Sequence, residues 1–268
     1  MDAGNAPKES GPEKKPSGSP SASPKEKHEG ERKQSRQRKE KEVERGRAKE
    51  SSAPDKTATS PSAKETAQGG TPVTARVRPY AYENQCTQHF LVNRGPGKLP
   101  QPPAEPEAPA WVRAFDAVPA GEQFVEVTLQ GTGKDTVVLN RMNVRVVQTR
   151  PPLAWNDYAT GVGCGGDVTT RSFRVDLDSP RPVVVPKNGQ RGFPYKVSES
   201  DPEVFYVKAG VTSKYVTWYL EVEWSSGDRH GVLAVNDRGQ PFRTSGAGGR
   251  PQYQWPLGGE KWDKPTGG

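Results

Sequence analysis

One stretch of the chain alternates apolar and polar residues so regularly that the rest of the fold can be organised around it. In residues 214–235, every second position is apolar at Val216, Trp218, Leu220, Val222 and Trp224. The gaps are filled by Thr217, Tyr219, Glu221 and Glu223. A period of two is typical of a strand with one buried face, because a helix would scatter these residues around its circumference. Turn-forming residues 225–228 follow and Val232 to Val235 return, so the pattern predicts a β-hairpin.

The two tryptophans of this hairpin indicate a second layer of structure. Each indole buries roughly 150 to 250 Å², so a facing sheet must cover them. Other alternating stretches predict about nine or ten short strands in all. They begin near Val73, Cys86, Phe124, Thr136, Phe173, Val183, Glu203 and Phe242. One short helix is predicted from Pro109 to Phe115. The pattern therefore predicts an all-β chain with a single β-sandwich, either immunoglobulin-like or an irregular barrel.

Two of these strands also predict a second hairpin. Residues 124–130 and 136–147 each place apolar side chains at alternate positions. The segment between them, residues 131–135, reads GTGKD and has the small and polar residues of a turn. It also evokes a phosphate-binding loop, but Asp135 stands where a Mg²⁺-binding Ser or Thr is needed and no helix follows. The segment is therefore expected to be a hairpin turn.

The apolar residues are confined to one part of the chain, and this sets the domain boundaries. Residues 1–70 contain no Leu, Ile, Phe, Trp, Tyr or Cys, so they have too little apolar surface to offset the entropy of ordering. The sequence predicts a disordered tail over residues 1–70 and a β-sandwich domain over residues 71–258. The Gly-rich end, residues 259–268, is expected to be flexible.

The net charge of +7 is divided between the two parts. Residues 1–70 contribute +4 and the remainder +3, so the β domain is close to neutral. A nucleic-acid groove needs a concentrated basic patch, which makes nucleic acid an unlikely partner of this domain. The charged residues 31–50 are either a basic arm that contacts nucleic acid or anionic lipid, or a solvated spacer of mixed sign. No stretch approaches the roughly 18 apolar residues of a membrane span, so the chain as written is expected to be soluble.

Glycine-rich and metal-binding patterns give no cofactor or metal prediction. Residues 161–166, GVGCGG, match the letters of a dinucleotide-binding loop but lack the preceding strand and following helix that hold a pyrophosphate. A zinc site can be assembled only from scattered residues, namely Cys86, His89, Cys164 and His230. Structural zinc sites usually bring their ligands as close local pairs. No cofactor and no metal are therefore predicted.

Exposed aromatic residues beside carboxylates are the candidate ligand contacts. Tyr215 and Tyr219 fall on the outward face of the central strand, and Trp155, Asp157 and Tyr158 fall in a predicted loop. Such groups hold a carbohydrate or a peptide on a sheet face or loop. The alternative is that another layer, the C-terminal segment or a dimer partner covers them.

Glu221 and Glu223 are the candidate catalytic pair. They share a strand face with side chains roughly 7 Å apart, a separation compatible with a glycoside-type hydrolase. The alternative is that both are outward residues of an amphipathic strand.

The chain from Thr71 onward resembles the C-terminal, extracytoplasmic β domain of uncharacterised actinobacterial proteins that are transcriptional-regulator-like. The similarity lies in the stretches TPVTARVRPYAYENQC, AWNDYATGVGCGGDVTTRSFRVDLD, SESDPEVFYVKA and WYLEVEWSSGDR. In such proteins a cytoplasmic part and a single membrane span precede the domain. The resemblance implies an extracytoplasmic location if the chain's N-terminus is incomplete; helix-turn-helix and span are absent from this sequence.

Such a location favours a disulfide between Cys86 and Cys164, the two cysteines of the chain. Two reduced, buried thiols in a cytosolic protein are the alternative. Taken together, the sequence predicts a non-enzymatic binding or sensor module on a flexible arm, with an unknown protein or carbohydrate as ligand. The alternatives are a hydrolase that uses Glu221 and Glu223, and an intracellular nucleic-acid binder that acts through the basic tail.

Overall fold

A computed structural model describes residues 70–162 and 170–265. The predicted tail over residues 1–70, including the basic stretch 31–50, lies outside this range except for Gly70. Cys164 and most of the glycine-rich run lie outside it as well. Within the described residues, no helix is both long enough and apolar enough to cross a membrane.

The described residues form fourteen strands, one α-helix and two 3-10 turns. The first strands are β1 (Val73–Arg78), β2 (His89–Val92), β3 (Val118–Pro119), β4 (Glu122–Gly131), β5 (Val137–Arg150), β6 (Asn156–Ala159) and β7 (Ser172–Asp176). The remaining strands are β8 (Val185–Lys187), β9 (Tyr195–Val197), β10 (Glu203–Gly210), β11 (Tyr215–Ser226), β12 (Arg229–Val235), β13 (Phe242–Ser245) and β14 (Gln252–Gln254). The helix is α1 (Ala108–Phe115), and the 3-10 turns are Pro96–Lys98 and Glu105–Glu107.

Two main sheets share one apolar core, which confirms the all-β prediction. The first sheet has the strand order β1-β4-β10-β7-β8, and the second has the order β12-β11-β5-β9, with β13 also paired to β11. The core between them takes side chains from both sheets, among them Val127, Leu129, Leu139, Phe205, Trp218 and Leu220. The residues that alternate with them face outward, as the period-two pattern requires.

The central hairpin is confirmed. Strands β11 and β12 pair in antiparallel register from Leu220 opposite Val235 to Ser226 opposite Arg229. Gly227 takes a φ of +57° in the two-residue turn, a left-handed conformation that glycine adopts without steric cost. Trp218 is fully buried, as its position in the alternating pattern predicts.

The second predicted hairpin is wrong. Strand β4 pairs with β1 and β10 in the first sheet, whereas β5 pairs with β11 and β9 in the second. The five residues between them therefore carry the chain from one sheet to the other. Gly131 packs so closely on the next segment that an added Cβ would lie 2.8 Å from the Cα of Ser198. The crossing buries the apolar faces of both strands in one core, which a simple hairpin of the same two strands would not do.

A third, smaller sheet adds a second core that the sequence analysis did not foresee. Its strand order is β14-β6-β2-β3. With α1 it encloses a second cluster of buried residues: Phe90, Val92, Leu99, Trp111, Val112, Ala117, Tyr158 and Trp262. Trp262 is 5% exposed, and its indole N–H donates to the carbonyl of Pro100 at 2.9 Å. The packed part of the chain thus extends past the predicted boundary at residue 258 into the end that was expected to be flexible.

Asp178 joins the turn after β7 to the turn between β10 and β11. Its carboxylate accepts hydrogen bonds from the backbone N–H and hydroxyl of Thr212, both at 2.6 Å. It also accepts from the backbone N–H and hydroxyl of Ser213, at 3.1 and 2.6 Å. Burial alone would raise the pKa of Asp178, but the hydrogen bonds from Ser213 and Thr212 outweigh burial and lower this pKa to about 2.

We expect Asp178→Asn to lower the free energy of unfolding by about 1 to 2 kcal/mol at pH 6, because a carboxylate held by four donors becomes a neutral amide. An aspartate in an unfolded chain titrates near 3.9. The stabilisation is therefore fully present above about pH 4 and is lost as the pH falls through about 2. Urea unfolding at pH 6 and at pH 2 measures it, with Asp135→Asn as an exposed control. An effect of Asp178→Asn that is equal at both pH values would contradict this assignment.

Candidate functional site

The residues predicted to contact a ligand do not come together. Asp157 and Tyr158 lie in β6 of the third sheet, not in a loop, and both are buried. Tyr158 packs in the second core against Trp262, with ring centroids 4.9 Å apart. Asp157 accepts from His89 at 3.1 Å, in the neighbouring strand. Trp155 precedes β6 and is half-buried. Asp157 and Tyr158 therefore fit the alternative interpretation, in which other parts of the chain cover these residues, because the C-terminal segment packs over the third sheet.

The outward face of β11 holds the other predicted residues, and most of them are engaged by β5. Tyr219 lies under the guanidinium of Arg145, 4.5 Å from its ring centroid. Arg145 also forms an ion pair with Glu221. Tyr215 is half-buried on the same face.

Glu223 is held by β5 as well, since its carboxylate accepts from the side-chain amide of Asn143 at 2.6 Å. Glu221 and Glu223 thus both have partners on the adjacent strand, an arrangement typical of an outward sheet face. Hydrolysis by this pair stays a prediction.

A different site is formed where the edges of the two main sheets approach each other. A cavity of about 510 Å³ lies between β1 and the end of β12, and Glu105 of the second 3-10 turn also lines it. A further cavity of about 450 Å³ is lined by α1 and by residues 237–243. Tyr80, Asp237 and Arg238 line both cavities, so they form one site, which we name the Tyr80 cleft.

Five arginines line the Tyr80 cleft, namely Arg76, Arg78, Arg113, Arg238 and Arg243. Two of them are fixed by carboxylates. Arg78 forms ion pairs with Glu105 and with Glu126. Arg243 donates to Asp116 at 2.8 Å and to the carbonyl of Ala117 at 3.2 Å. The orientations of these two guanidinium groups are therefore fixed in the absence of a ligand.

The other three arginines leave the cleft with excess positive charge. Arg76, Arg113 and Arg238 are exposed, and no carboxylate of the described residues lies within salt-bridge distance of them. Only two carboxylates line the cleft, those of Glu105 and Asp237. Glu126 and Asp116 also pair with cleft arginines, so five guanidinium groups meet four carboxylates; the excess positive charge comes from the arginines without partners, and it attracts anions.

Tyr80 and Asp237 form a fixed pair at the junction of the two cavities. The Tyr80 hydroxyl donates to Asp237 Oδ2 at 2.8 Å. Burial raises the pKa of Tyr80 well above its ordinary value, and the charge of Asp237 raises it further, while Arg243 and Arg113 act in the opposite direction. Tyr80 therefore remains a protonated hydrogen-bond donor near neutral pH.

Arg238 is held at the tip of a tight turn between β12 and β13. Both Arg238 and Gly239 have positive φ, at +54° and +86°. Asp237 and Gln240 form the flanking bridge, and the amide of Gly239 donates to the side chain of Asn236 at 2.6 Å. A left-handed conformation costs a non-glycine residue of order 1 kcal/mol, and such strain concentrates at functional sites. The backbone strain at Arg238 is therefore a reason to consider it a candidate functional residue.

A buried chain of hydrogen bonds ties the cleft to the central hairpin. The indole N–H of Trp218 donates to Thr244 Oγ1 at 3.0 Å, and the Thr244 hydroxyl donates to Gln123 Oε1 at 2.8 Å. The Gln123 amide then donates to the carbonyl of Pro79 at 3.0 Å, directly before Tyr80. All of these side chains are buried, so the network is rigid. The network therefore fixes the backbone directly before Tyr80.

This arrangement is suited to binding an anion. A guanidinium presents a planar fork of donors that matches a carboxylate or a phosphate in two parallel hydrogen bonds. Within residues 70–162 and 170–265, no group of three or more His, Cys, Asp or Glu side chains is placed to hold a metal ion.

Sequence reasoning missed the Tyr80 cleft because its residues are far apart in the chain. Tyr80 and Asp237 are separated by 157 positions. The available signals were local: Arg76 and Arg78 alternate with apolar residues, and residues 236–239, NDRG, have turn composition. Comparison with models of known protein families gives no match, and comparison with curated proteins gives none either.

Proposed function

We propose that the β domain is a non-enzymatic binding module that holds an acidic carbohydrate in the Tyr80 cleft. The observation that carries the proposal is the set of arginines without carboxylate partners: Arg76, Arg113 and Arg238. They lie on both sides of the Tyr80–Asp237 pair, so a ligand that spans both cavities meets guanidinium groups along its length.

Further groups of the cleft support a carbohydrate as the ligand class. Asn236 and Gln240 place side-chain amides at the rim, and these donate to and accept from hydroxyl groups. Tyr80 offers an aromatic body, and Pro109 and Pro241 offer flat apolar walls. An oligosaccharide with carboxylates on successive sugars matches both the charges and the polar groups between them.

Titration of the full chain with oligogalacturonate tests the proposal. The double variant Arg113→Ala/Arg238→Ala should weaken binding by roughly 100-fold or more, since a hydrogen bond to a charged group contributes about 1.5 to 3 kcal/mol. Arg171→Ala is the matched control, because Arg171 is exposed and lines neither cavity. Calorimetry at low and moderate salt gives the dissociation constants.

Three results would contradict the proposal. Oligogalacturonate that binds the double variant as tightly as the native chain does not occupy the cleft. Binding that disappears when residues 1–70 are removed belongs to the basic tail. A glutamate-rich peptide that binds in the cleft while oligogalacturonate does not would replace carbohydrate by a protein ligand.

A further inference from the structure

Strand β5 has a long open edge on the side of the sandwich away from the Tyr80 cleft. On one side it pairs with β11 from Val138 to Arg150. On the other side it pairs with β9 only over residues 137–139. Among the described strands, none pairs with the second side of residues 140–150. Backbone N–H and C=O groups directed to that side form a template for one more strand.

Two bulges limit the regular part of this edge. The register with β11 shifts between Glu223 and Trp224 and again between Thr217 and Trp218. These shifts leave Asn140 and Val147 as the extra residues of β5. Between the bulges, residues 141–146 form an uninterrupted strand of about 20 Å. An extended peptide can pair with such a segment through main-chain hydrogen bonds.

An apolar groove runs beside the open edge. A cavity of about 520 Å³ is lined on one side by β5, from Arg141 to Val144. Its other wall is formed by Val183, Val184 and Phe193, from the region around the edge strand β8 of the first sheet. Val183 is 63% exposed. A strand added to β5 would direct alternate side chains into this groove, where they would cover exposed apolar surface.

The charges beside the groove indicate which outward-facing side chains an added strand should carry. Arg141 and Arg145 face outward on β5, opposite Glu223 and Tyr219 of β11. Arg145 is engaged by Glu221, whereas Arg141 lines the groove and is the one ionisable residue among the described residues that do so. Further exposed basic residues lie nearby in sequence on β8, β9 and their connections: Arg181, Lys187, Arg191 and Lys196. Outward residues of an added strand would therefore meet positive charge.

Charge and composition exclude two other occupants of the groove. A second copy paired through β5 would bring the unpaired basic residues of both copies together, which like-charge repulsion disfavours. The chain's own residues 1–70 contain a single valine, Val43, and no Leu, Ile, Phe, Trp or Tyr, so they cannot fill an apolar groove. A separate acidic and apolar segment fits both features.

We propose that the open edge of β5 binds an extended peptide of a partner protein in which apolar and acidic residues alternate. The peptide adds one strand to the second sheet. Its apolar side chains lie against Val144 and Val183, and its carboxylates lie beside Arg141. This surface is separate from the Tyr80 cleft, so either proposal can fail without the other.

The test uses the full chain and a dye-labelled peptide of sequence EVEVEVE with blocked ends. Fluorescence anisotropy measures the affinity, and hydrogen exchange locates the contact. Amide hydrogens in residues 140–150 should become protected when the peptide binds. A peptide with the same side chains but N-methylated at alternate residues should bind at least tenfold more weakly, because it lacks the donors that pair with a strand edge.

Variants of exposed residues test the side-chain contacts with little risk to folding. Val183→Glu and Arg141→Glu should each weaken binding at least tenfold. The matched control is Val232→Glu, since Val232 is 59% exposed on β12, at the other edge of the same sheet. This control should change the affinity by less than twofold.

Several outcomes would overturn the proposal. Binding without protection of residues 140–150 would place the peptide elsewhere. Equal binding of KVKVKVK would remove the charge argument. Protection of residues 140–150 that appears in the free protein as its concentration rises, together with a dimer mass in solution, would make a second copy the occupant.

Discussion

Replacing Trp218 by alanine is expected to lower the free energy of unfolding by about 3 to 5 kcal/mol. Trp218 is fully buried, and its ring lies 4.7 Å from that of Phe242, measured between centroids. The substitution opens a cavity in the main core and also leaves the Thr244 hydroxyl without its donor. A domain of typical stability has roughly 5 to 15 kcal/mol, so the variant is expected to be partly or wholly unfolded.

Tyr219→Ala is the matched control for this loss. Tyr219 is the next residue of the same strand, but it faces outward under Arg145 and is half-buried. Its removal should cost about 1 kcal/mol or less, the scale of one exposed cation–π contact. Urea unfolding followed by circular dichroism compares the two variants. Equal losses would show that β11 is buried on both faces, contrary to the two-layer arrangement.

Reduction of the predicted disulfide between Cys86 and Cys164 is expected to cost about 4.5 kcal/mol. The bond would close a loop of about 78 residues, and closing such a loop in the unfolded chain accounts for a loss of this size in the chain-entropy model. Cys164 lies outside the described residues, so the pairing remains a prediction.

Described residues that precede the two cysteines in the chain contact each other. The Thr160 hydroxyl donates to the carbonyl of Gln85 at 2.8 Å, and the Gln85 amide donates to the carbonyl of Thr160 at 3.1 Å. Gly161 packs so closely on Gln85 that an added Cβ would lie 2.7 Å from its Cγ. Residue 85 is next to Cys86, and residue 161 is three positions before Cys164.

Intact mass after alkylation, with and without reductant, measures the bond in protein purified from an oxidising compartment. No label should attach before reduction and two should attach after it. The double variant Cys86→Ser/Cys164→Ser should have the stability of the reduced chain and should not respond to reductant. Two labels without reductant would rule out the bond and remove one argument for an extracytoplasmic domain.

Features carried by neighbouring residues were accessible from the sequence. The β11–β12 hairpin was predicted because its alternation and its turn lie within one stretch, and the two strands pair directly across Gly227. The short helix was predicted from Pro109 at its start, and α1 covers that segment. In both elements the decisive interactions join residues that are close in the chain.

Features that depend on distant partners were not accessible. Strands β4 and β5 have the pattern of a hairpin, yet each pairs with strands of a different main sheet, and both contribute to the core between the sheets. Tyr158 lies in a stretch with the composition of an exposed binding loop, but Trp262, far along the chain, packs against it. A local pattern predicts which face of a strand is apolar, but it does not predict which part of the protein covers that face.

By itself, the sequence determined that the chain is mostly strands, which residues of β11 face inward and where the apolar part begins, because backbone periodicity and turn chemistry act over a few residues. Only the tertiary structure decided the sheet in which each strand lies, the burial of Asp157 and Tyr158, the Tyr80 cleft and the open edge of β5. These follow from burying apolar faces from the whole domain at once. That process joins residues such as Tyr80 and Asp237, 157 positions apart, through contacts that no local pattern encodes.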